Sequence, residues 1–268
     1  NTPTNRILTS LFSKERLKFL LKYAIAYVEE ENLGKISYQK HIMRYPQLFA
    51  TQAIASKLDQ GQHKGIIWHT QGSGKTALAY YNVKHLTNYY SKKQIIPKFY
   101  FIVDRIDLLI QASSEFANRG LKVKQVNSKQ DFIKDLQVIG AIHNDSGIPE
   151  ITVVNIQKFS EDATALINVA YDINIQRVYF LDEAHRSYNP KGNYLANLIN
   201  SDRSAVIIAL TGTPLLKEVA KDYDSKMLFG NYFHKYYYNM SIADGYTLRL
   251  IREQIEGNFK MQMKEVMD

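Results

Sequence analysis

The feature that most limits what this chain can become is an alternation. Short β-branched or aromatic runs recur at "GIIWH" (65–69), "KFYFIV" (98–103), "KVKQV" (122–126), "ITVV" (151–154), "RVYFL" (177–181) and "SAVIIAL" (204–210). Between them the stretches 75–90, 106–118, 129–138, 156–169 and 193–200 space their apolar residues with the helical period. Strands alternating with helices predict βαβ units, and hence an α/β fold with a mostly parallel sheet covered by helices on both faces. Runs such as "AVIIAL" are apolar without alternation, as burial on both faces requires. Upstream, Leu17, Leu20, Leu21, Ala24, Ile25 and Val28 predict a helix over 13–31. "PQLFATQAIASKLDQGQ" predicts a second, with Pro46 suited to its first turn and Gly61 to its end. After Pro214 the pattern weakens. "YFHKYYY" (232–238) reads as a further strand, and "TLRLIREQIE" as an exiting strand or helix.

The loop after the first strand carries the chemistry. "TQGSGKT" stands where a strand hands over to a helix. Gly72 and Gly74 permit a tight turn with backbone N–H groups facing inward. Such a nest, together with the positive end of the following helix, binds phosphate. Lys75 reaches toward β/γ-phosphates, and the Thr76 hydroxyl suits Mg²⁺. The strict phosphate-loop pattern would put its first glycine at position 69, where this chain has His69. A Gly-rich turn that binds nothing is the competing reading, so the loop needs an acidic counterpart. "VYFLDEAHRS" supplies one: the strand 177–181 delivers Asp182 and Glu183 at its C-terminal end, the edge where parallel sheets hold ligands. Asp182 is the candidate Mg²⁺ partner, and Glu183 the candidate base that orients and deprotonates an attacking water.

"GSGKT" followed by "DEAH" resembles a superfamily 2 helicase or translocase. "LTGTP" (210–214) resembles motif III, "FIVDRIDLLIQ" (101–111) motif Ia, "VVNIQKF" (153–159) motif Ib, and "RYPQ" (44–47) a Q motif. Taken together, "WHTQGSGKT", "VDRIDL..Q", "IQKF", "DEAHRS" and "LTGTPL" resemble the restriction (R, HsdR) subunit of type I restriction-modification enzymes, over about Arg44 to Leu216. The resemblance implies a RecA-like P-loop NTPase fold using ATP and Mg²⁺. Residues 44–245 would be the first motor domain, 1–43 an N-terminal helical linking segment, and 246–268 an exit toward a second motor domain. It places Arg44, Gln47, Gln71, Gly72, Ser73, Gly74, Lys75, Thr76 and Ala77 around the nucleotide, with Gln47 on the adenine edge. Lys75, Asp182 and Glu183 would be catalytic, with Thr76 and Asp182 on the metal. His185 would sense the γ-phosphate, and Thr211, Gly212 and Thr213 would couple the nucleotide to DNA. Arg105, Gln157 and Lys158 would lie near the DNA backbone. Double-stranded DNA and the methylation and specificity subunits are the implied partners, in a prokaryotic cytoplasm.

The remaining features bound this reading. With 268 residues, a net charge of +8 and no cysteine, the chain has material for one large domain and none for thiolate metal sites. The basic balance suits a polyanion, or simply a solvated basic surface. No apolar run reaches the roughly 20 residues of a membrane span. No Gly-Arg dipeptide and no Glu-x-Lys occur, so an arginine finger and a nuclease centre are expected elsewhere in a longer subunit. "HLTNYYSKK" and "HKYYYN" could stack single-stranded bases, but read more simply as packing. A P-loop small-molecule kinase, an RNA or DNA-repair helicase, and a nucleotide-dependent scaffold without turnover stay open as alternatives.

Overall fold

A computed structural model describes residues 10–137, 148–156, 174–183, 202–214 and 225–248. At the amino end the helix expected over 13–31 stops early. Helix α1 runs Lys14–Tyr23, and the chain then forms an antiparallel hairpin of β1 (Ile25–Asn32) and β2 (Lys35–Ile42). Ala24, Ala26 and Val28 are buried at every second position, a strand period that the helical spacing had masked. Leu33 and Gly34, with φ of 52° and 76°, form the two-residue turn that brings Lys35 opposite Asn32. Once that turn exists, residues 35–42 offer a partner strand, and pairing outweighs a helix whose last turns have no buried face.

Helix α2 (Tyr45–Asp59) follows, with Pro46 in its first turn as expected. The alternating region then contributes β3 (Lys64–His69), α3 (Lys75–Ser91), β4 (Ile96–Val103), α4 (Ile106–Ala117), β5 (Lys122–Val126), α5 (Lys129–Gln137), β6 (Glu150–Asn155), β7 (Ile175–Asp182) and β8 (Val206–Thr211). A short α6 (Ser225–Phe229), β9 (Tyr232–Tyr236) and α7 (Tyr238–Ala243) complete the described chain. The expected helices over 156–169 and 193–200 lie outside the described residues, as does most of "TLRLIREQIE".

Strands β3 to β9 form one seven-stranded sheet, in the order β5-β6-β4-β7-β8-β3-β9. Every pairing in it is parallel. β8 is buried throughout and β4 over its last six residues, as strands covered on both faces must be. Alternate side chains feed two cores. Ile67, Phe99, Phe101, Phe180, Ile208 and Leu210 pack with α2, α3 and α4 on one face. Ile66, Tyr100, Tyr179 and Ile207 meet Phe132 and Leu136 of α5 and Phe229 of α6 on the other.

Polar pins fix the amino edge of the sheet. Asp135 of α5 is fully buried, meets Lys98 Nζ at 3.1 Å and Lys124 Nζ at 2.5 Å, and accepts from the Tyr100 hydroxyl at 2.9 Å. Buried Arg177 pairs with buried Asp202. Such pairs stabilise mainly through completeness, because removing one partner leaves a buried charge uncompensated. With that edge held, the carboxyl ends of β3, β8 and β7 lie side by side, Trp68 opposite Thr211 and Asp182 opposite Leu210.

Candidate active site

The loop between β3 and α3 is built as its glycines allow. Gly72 and Gly74 both sit at φ +78°, and Gly74 forms the left-handed entry to α3. A left-handed conformation is strained for any residue with a Cβ. Buried Thr70 Oγ1 and Ser73 Oγ have no hydrogen-bond partner among the described residues. Two orphaned hydroxyls in a Gly-rich turn at a helix N-terminus suit a phosphate ligand, since buried polar groups are otherwise satisfied.

The two halves predicted from the sequence meet. Lys75 Nζ lies 3.7 Å from Glu183 Oε1. Gly72, Gly74, Lys75, Thr76 and Ala77 share a cavity of about 320 Å³ with Asp182 and Glu183. Its far wall comes from α4, through Leu108, Gln111, Ala112 and Glu115. Leu108 and Gln111 stand in the "VDRIDL..Q" motif, but none of the four was given a place at the nucleotide from the sequence, because only the sheet order carries α4 against the loop. Burial pushes Asp182 up to about 6. Lys75 pulls it down and Glu183 raises it further. A carboxylate held under that tension, next to a second carboxylate and the Thr76 hydroxyl, is a fitting donor set for a hard divalent cation that also takes phosphate oxygens. Glu183 itself has φ +46°, uncommon for a residue with a side chain and often found where function dictates backbone shape.

A second cleft, about 800 Å³, adjoins the first and shares Asp182 and Glu183 with it. Trp68, Gln71, Arg105, Gly212, Thr213, Tyr237 and Tyr238 also line it. Trp68 Nε1 donates to the Gly212 carbonyl at 3.1 Å, and the Thr213 N–H donates to Thr211 Oγ1 at 3.1 Å, so the "TGT" turn is held against the first strand. Arg105 is exposed and 3.9 Å from Asp104. His185, Gln157 and Lys158 lie outside the described residues. The tyrosine runs are largely packing: Tyr90 and Tyr236 are buried, and the Tyr89 hydroxyl donates to Asp59.

Arg44 and Gln47 do reach the loop. Arg44 Nη1 donates to the Gly72 carbonyl at 3.1 Å, and Gln47 Nε2 donates to the Gly74 carbonyl at 2.9 Å. His69, at the position of the pattern's missing glycine, is fully buried and bonds His234 of β9 ring to ring at 2.8 Å. Burial, then His234 and Lys75, push its pKa down to about 3, so it is neutral.

A phosphate-binding turn at the carboxyl end of one parallel strand, with paired carboxylates at the end of a strand one place beyond its neighbour, defines a RecA-like P-loop domain. The model of the SWI2/SNF2 ATPase family matches residues 46–268, and the chain belongs to that family. Among sequence relatives, it is 32% identical to the Type I restriction enzyme SsaAORF53P endonuclease subunit of Staphylococcus saprophyticus, over 77% of this chain and 21% of that one. It is 27% identical to the Type I restriction enzyme HindI endonuclease subunit of Haemophilus influenzae, over 91% of this chain and 24% of that one. The chain thus spans about a fifth to a quarter of the length of these relatives. Among solved structures, the ATP-dependent Type ISP restriction-modification enzyme LlaBIII bound to DNA superposes with a TM-score of 0.54 at 16% identity, over 81% of this chain and 17% of that one. A nuclease-deletion mutant of the Type ISP enzyme LlaGI gives 0.53 at 14% identity, over 77% and 21%. These two likenesses bear on the fold.

Proposed function

We propose that this chain is the first motor domain of the restriction subunit of a type I restriction-modification enzyme, hydrolysing ATP to move double-stranded DNA. The observation that carries the reading is the meeting of Lys75, Thr76, Asp182 and Glu183 in one cavity beside the phosphate loop. The names of the relatives support the restriction setting. Residues 44–245 would be the motor domain, 1–43 its linking segment and 246–268 the way toward a second motor domain. The partners would be duplex DNA and the methylation and specificity subunits, in the cytoplasm. Among the described residues no helix is long and apolar enough to cross a membrane.

Under this reading each residue has a task. Loop N–H groups and the Thr70 and Ser73 hydroxyls take phosphate oxygens. Lys75 exchanges Glu183 for the β/γ-phosphates, which releases the Glu183 carboxylate to orient and deprotonate water. Thr76 and Asp182 would hold Mg²⁺, which supplies charge neutralisation when bound. Arg105, Gln157 and Lys158 would follow the DNA backbone, whose phosphates position a protein without specifying sequence. His185, Thr211, Gly212 and Thr213 would relay the state of the nucleotide.

Thermal melting tests the core of this. Ligand at 100-fold above Kd stabilises a fold by about 2.7 kcal/mol, and about 1 kcal/mol moves Tm by roughly 2–4 °C at this size. Saturating Mg·ATP should therefore raise Tm by several degrees, and Lys75→Ala should abolish the rise. An unchanged Tm in the unaltered protein would remove the proposal.

A further inference from the structure

The position where the strict phosphate-loop pattern asks for a glycine is filled by a buried histidine that turns toward the edge strand of the sheet. His69 Nε2 and His234 Nδ1 are 2.8 Å apart, so one ring donates and the other accepts. Burial pushes the pKa of each ring down, so both are neutral. His69 Nδ1 is buried and has no hydrogen-bond partner among the described residues. Loss of His234 would leave both nitrogens of the His69 ring unsatisfied, and a buried polar group stripped of its partner is costly.

The contact depends on an irregularity in β9. Ile66 pairs with Tyr232, but the next residue, Ile67, pairs with His234. Phe233 is therefore the extra residue of a β-bulge, a device that re-aims side chains beside active sites. Side chains alternate along a strand, so a slip of one residue exchanges faces. In unbroken register His234 would stand opposite Trp68, on the face of Ile66. The bulge moves it to the face of Ile67 and His69. Gly65 makes room for this, since the Phe233 ring lies where a Cβ on Gly65 would stand, at 2.7 Å.

What the two rings hold is the entry of the phosphate loop. Thr70 follows His69, and its N–H donates to the Tyr236 carbonyl of β9 at 3.3 Å. The Thr70 hydroxyl is one of the two orphaned hydroxyls of the loop. From the other neighbour of β3, Gly212 closes on the same residues. A Cβ there would lie 3.4 Å from the His69 carbonyl oxygen and 3.4 Å from the Gln71 nitrogen. The entry thus lies between the carboxyl end of β8 and strand β9.

We propose that His69 and His234 are a positioning pair: the β9 bulge aims His234 at His69, and their hydrogen bond fixes the loop entry where a glycine would leave it free, which sets affinity for the polyphosphate. The inference rests on the nucleotide reading above and deepens it.

The test measures affinities of the full-length protein for Mg·ATP and magnesium tripolyphosphate, under conditions where a denaturant melt shows each variant folded. His234→Phe keeps a ring and removes the hydrogen bond. It should weaken both ligands by a common factor of about ten, the loss expected from about one hydrogen bond in the bound state. His234→Gln still offers a donor and an acceptor, and should recover most of that loss. His69→Gly completes the strict pattern, yet it too should lose about tenfold. Adding His234→Phe to His69→Gly should then cost no more than about twofold further, because the partner is already gone. A merely structural pair would lower Tm and leave both affinities of the folded protein unchanged, and that result overturns the proposal. So would unaltered binding by His69→Gly, or losses that multiply in the double variant. If His234→Phe does not fold, His69→Gly decides alone: a loss of about tenfold supports the pair, and unaltered binding overturns it. Failure of the unaltered protein to bind either ligand would instead overturn the nucleotide reading, and the pair with it.

Discussion

Single residues here carry constraints that their neighbours in sequence do not reveal. Gly74 combines φ +78° with a Cβ position only 2.5 Å from the Gln47 amide. Gly74→Ala should therefore lower stability by about 1–3 kcal/mol, the range for a strained backbone position, and should lose phosphate binding together with it. Denaturant melts and a nucleotide titration of the variant check both. A buried and a half-buried histidine contribute to the acid sensitivity. His85 lies against the rings of Tyr23 and Phe19, and burial, then Lys92 and Lys22, push it down to about 4. His69 is at about 3. The unfolded chain titrates both near 6.5. A depressed folded-state value means that the contribution is complete above about pH 6.5 and is lost as pH falls toward the folded values. Each histidine then adds a slope of up to about 1.4 kcal/mol per pH unit. Tm measured from pH 7.5 to 4.5 should fall on the acid side, and His85→Leu should make the fall shallower. An equally steep fall would remove His85 as a cause.

At the scale of elements, the last strand depends on a glycine in the first strand of the sheet. β9 pairs with β3, and the Phe233 ring lies where a Cβ on Gly65 would stand, at 2.7 Å. Gly65→Ala should cost about 1–3 kcal/mol by overpacking. In a Phe233→Leu background it should cost markedly less, with a coupling of at least about 0.5 kcal/mol in a double-mutant cycle. Additive losses would mean that the ring moves aside freely. The same scale shows where sequence reading is weakest. Tyr23 to Asn32 satisfies helical and alternating periods at once, and the hairpin was decided by the Leu33–Gly34 turn and by the partner strand it creates. Strands β3, β4, β7 and β8 were legible because long apolar runs between turn signals have few alternatives.

At the scale of the molecule, two properties follow from the whole chain. The net charge of +8 and the absence of a Gly-Arg dipeptide both refer to these 268 residues. Under the proposed function, the cation that opposes the departing γ-phosphate comes from a second motor domain, and an arginine finger is worth about 10³–10⁵ in rate. ATP turnover by these residues alone should be near background with or without DNA, and should appear in the longer subunit. Duplex DNA should bind them weakly, without sequence preference, and less as salt rises. Turnover of several per second that Glu183→Gln stops would place a finger within these 268 residues.

The amino-acid sequence by itself determined the parallel α/β sheet and the pairing of a phosphate loop with two carboxylates. Both are written in short-range signals: strand and helix periods, glycines that permit left-handed backbone, and acids at the end of an apolar run. Only the tertiary structure decided what surrounds that centre. The α4 wall, the Arg44–Gln47 grip on the loop and the His69–His234 contact join residues distant in sequence, the last by 165 positions. Sheet order sets such distances, and sheet order depends on how whole strands bury one another, which no local pattern encodes.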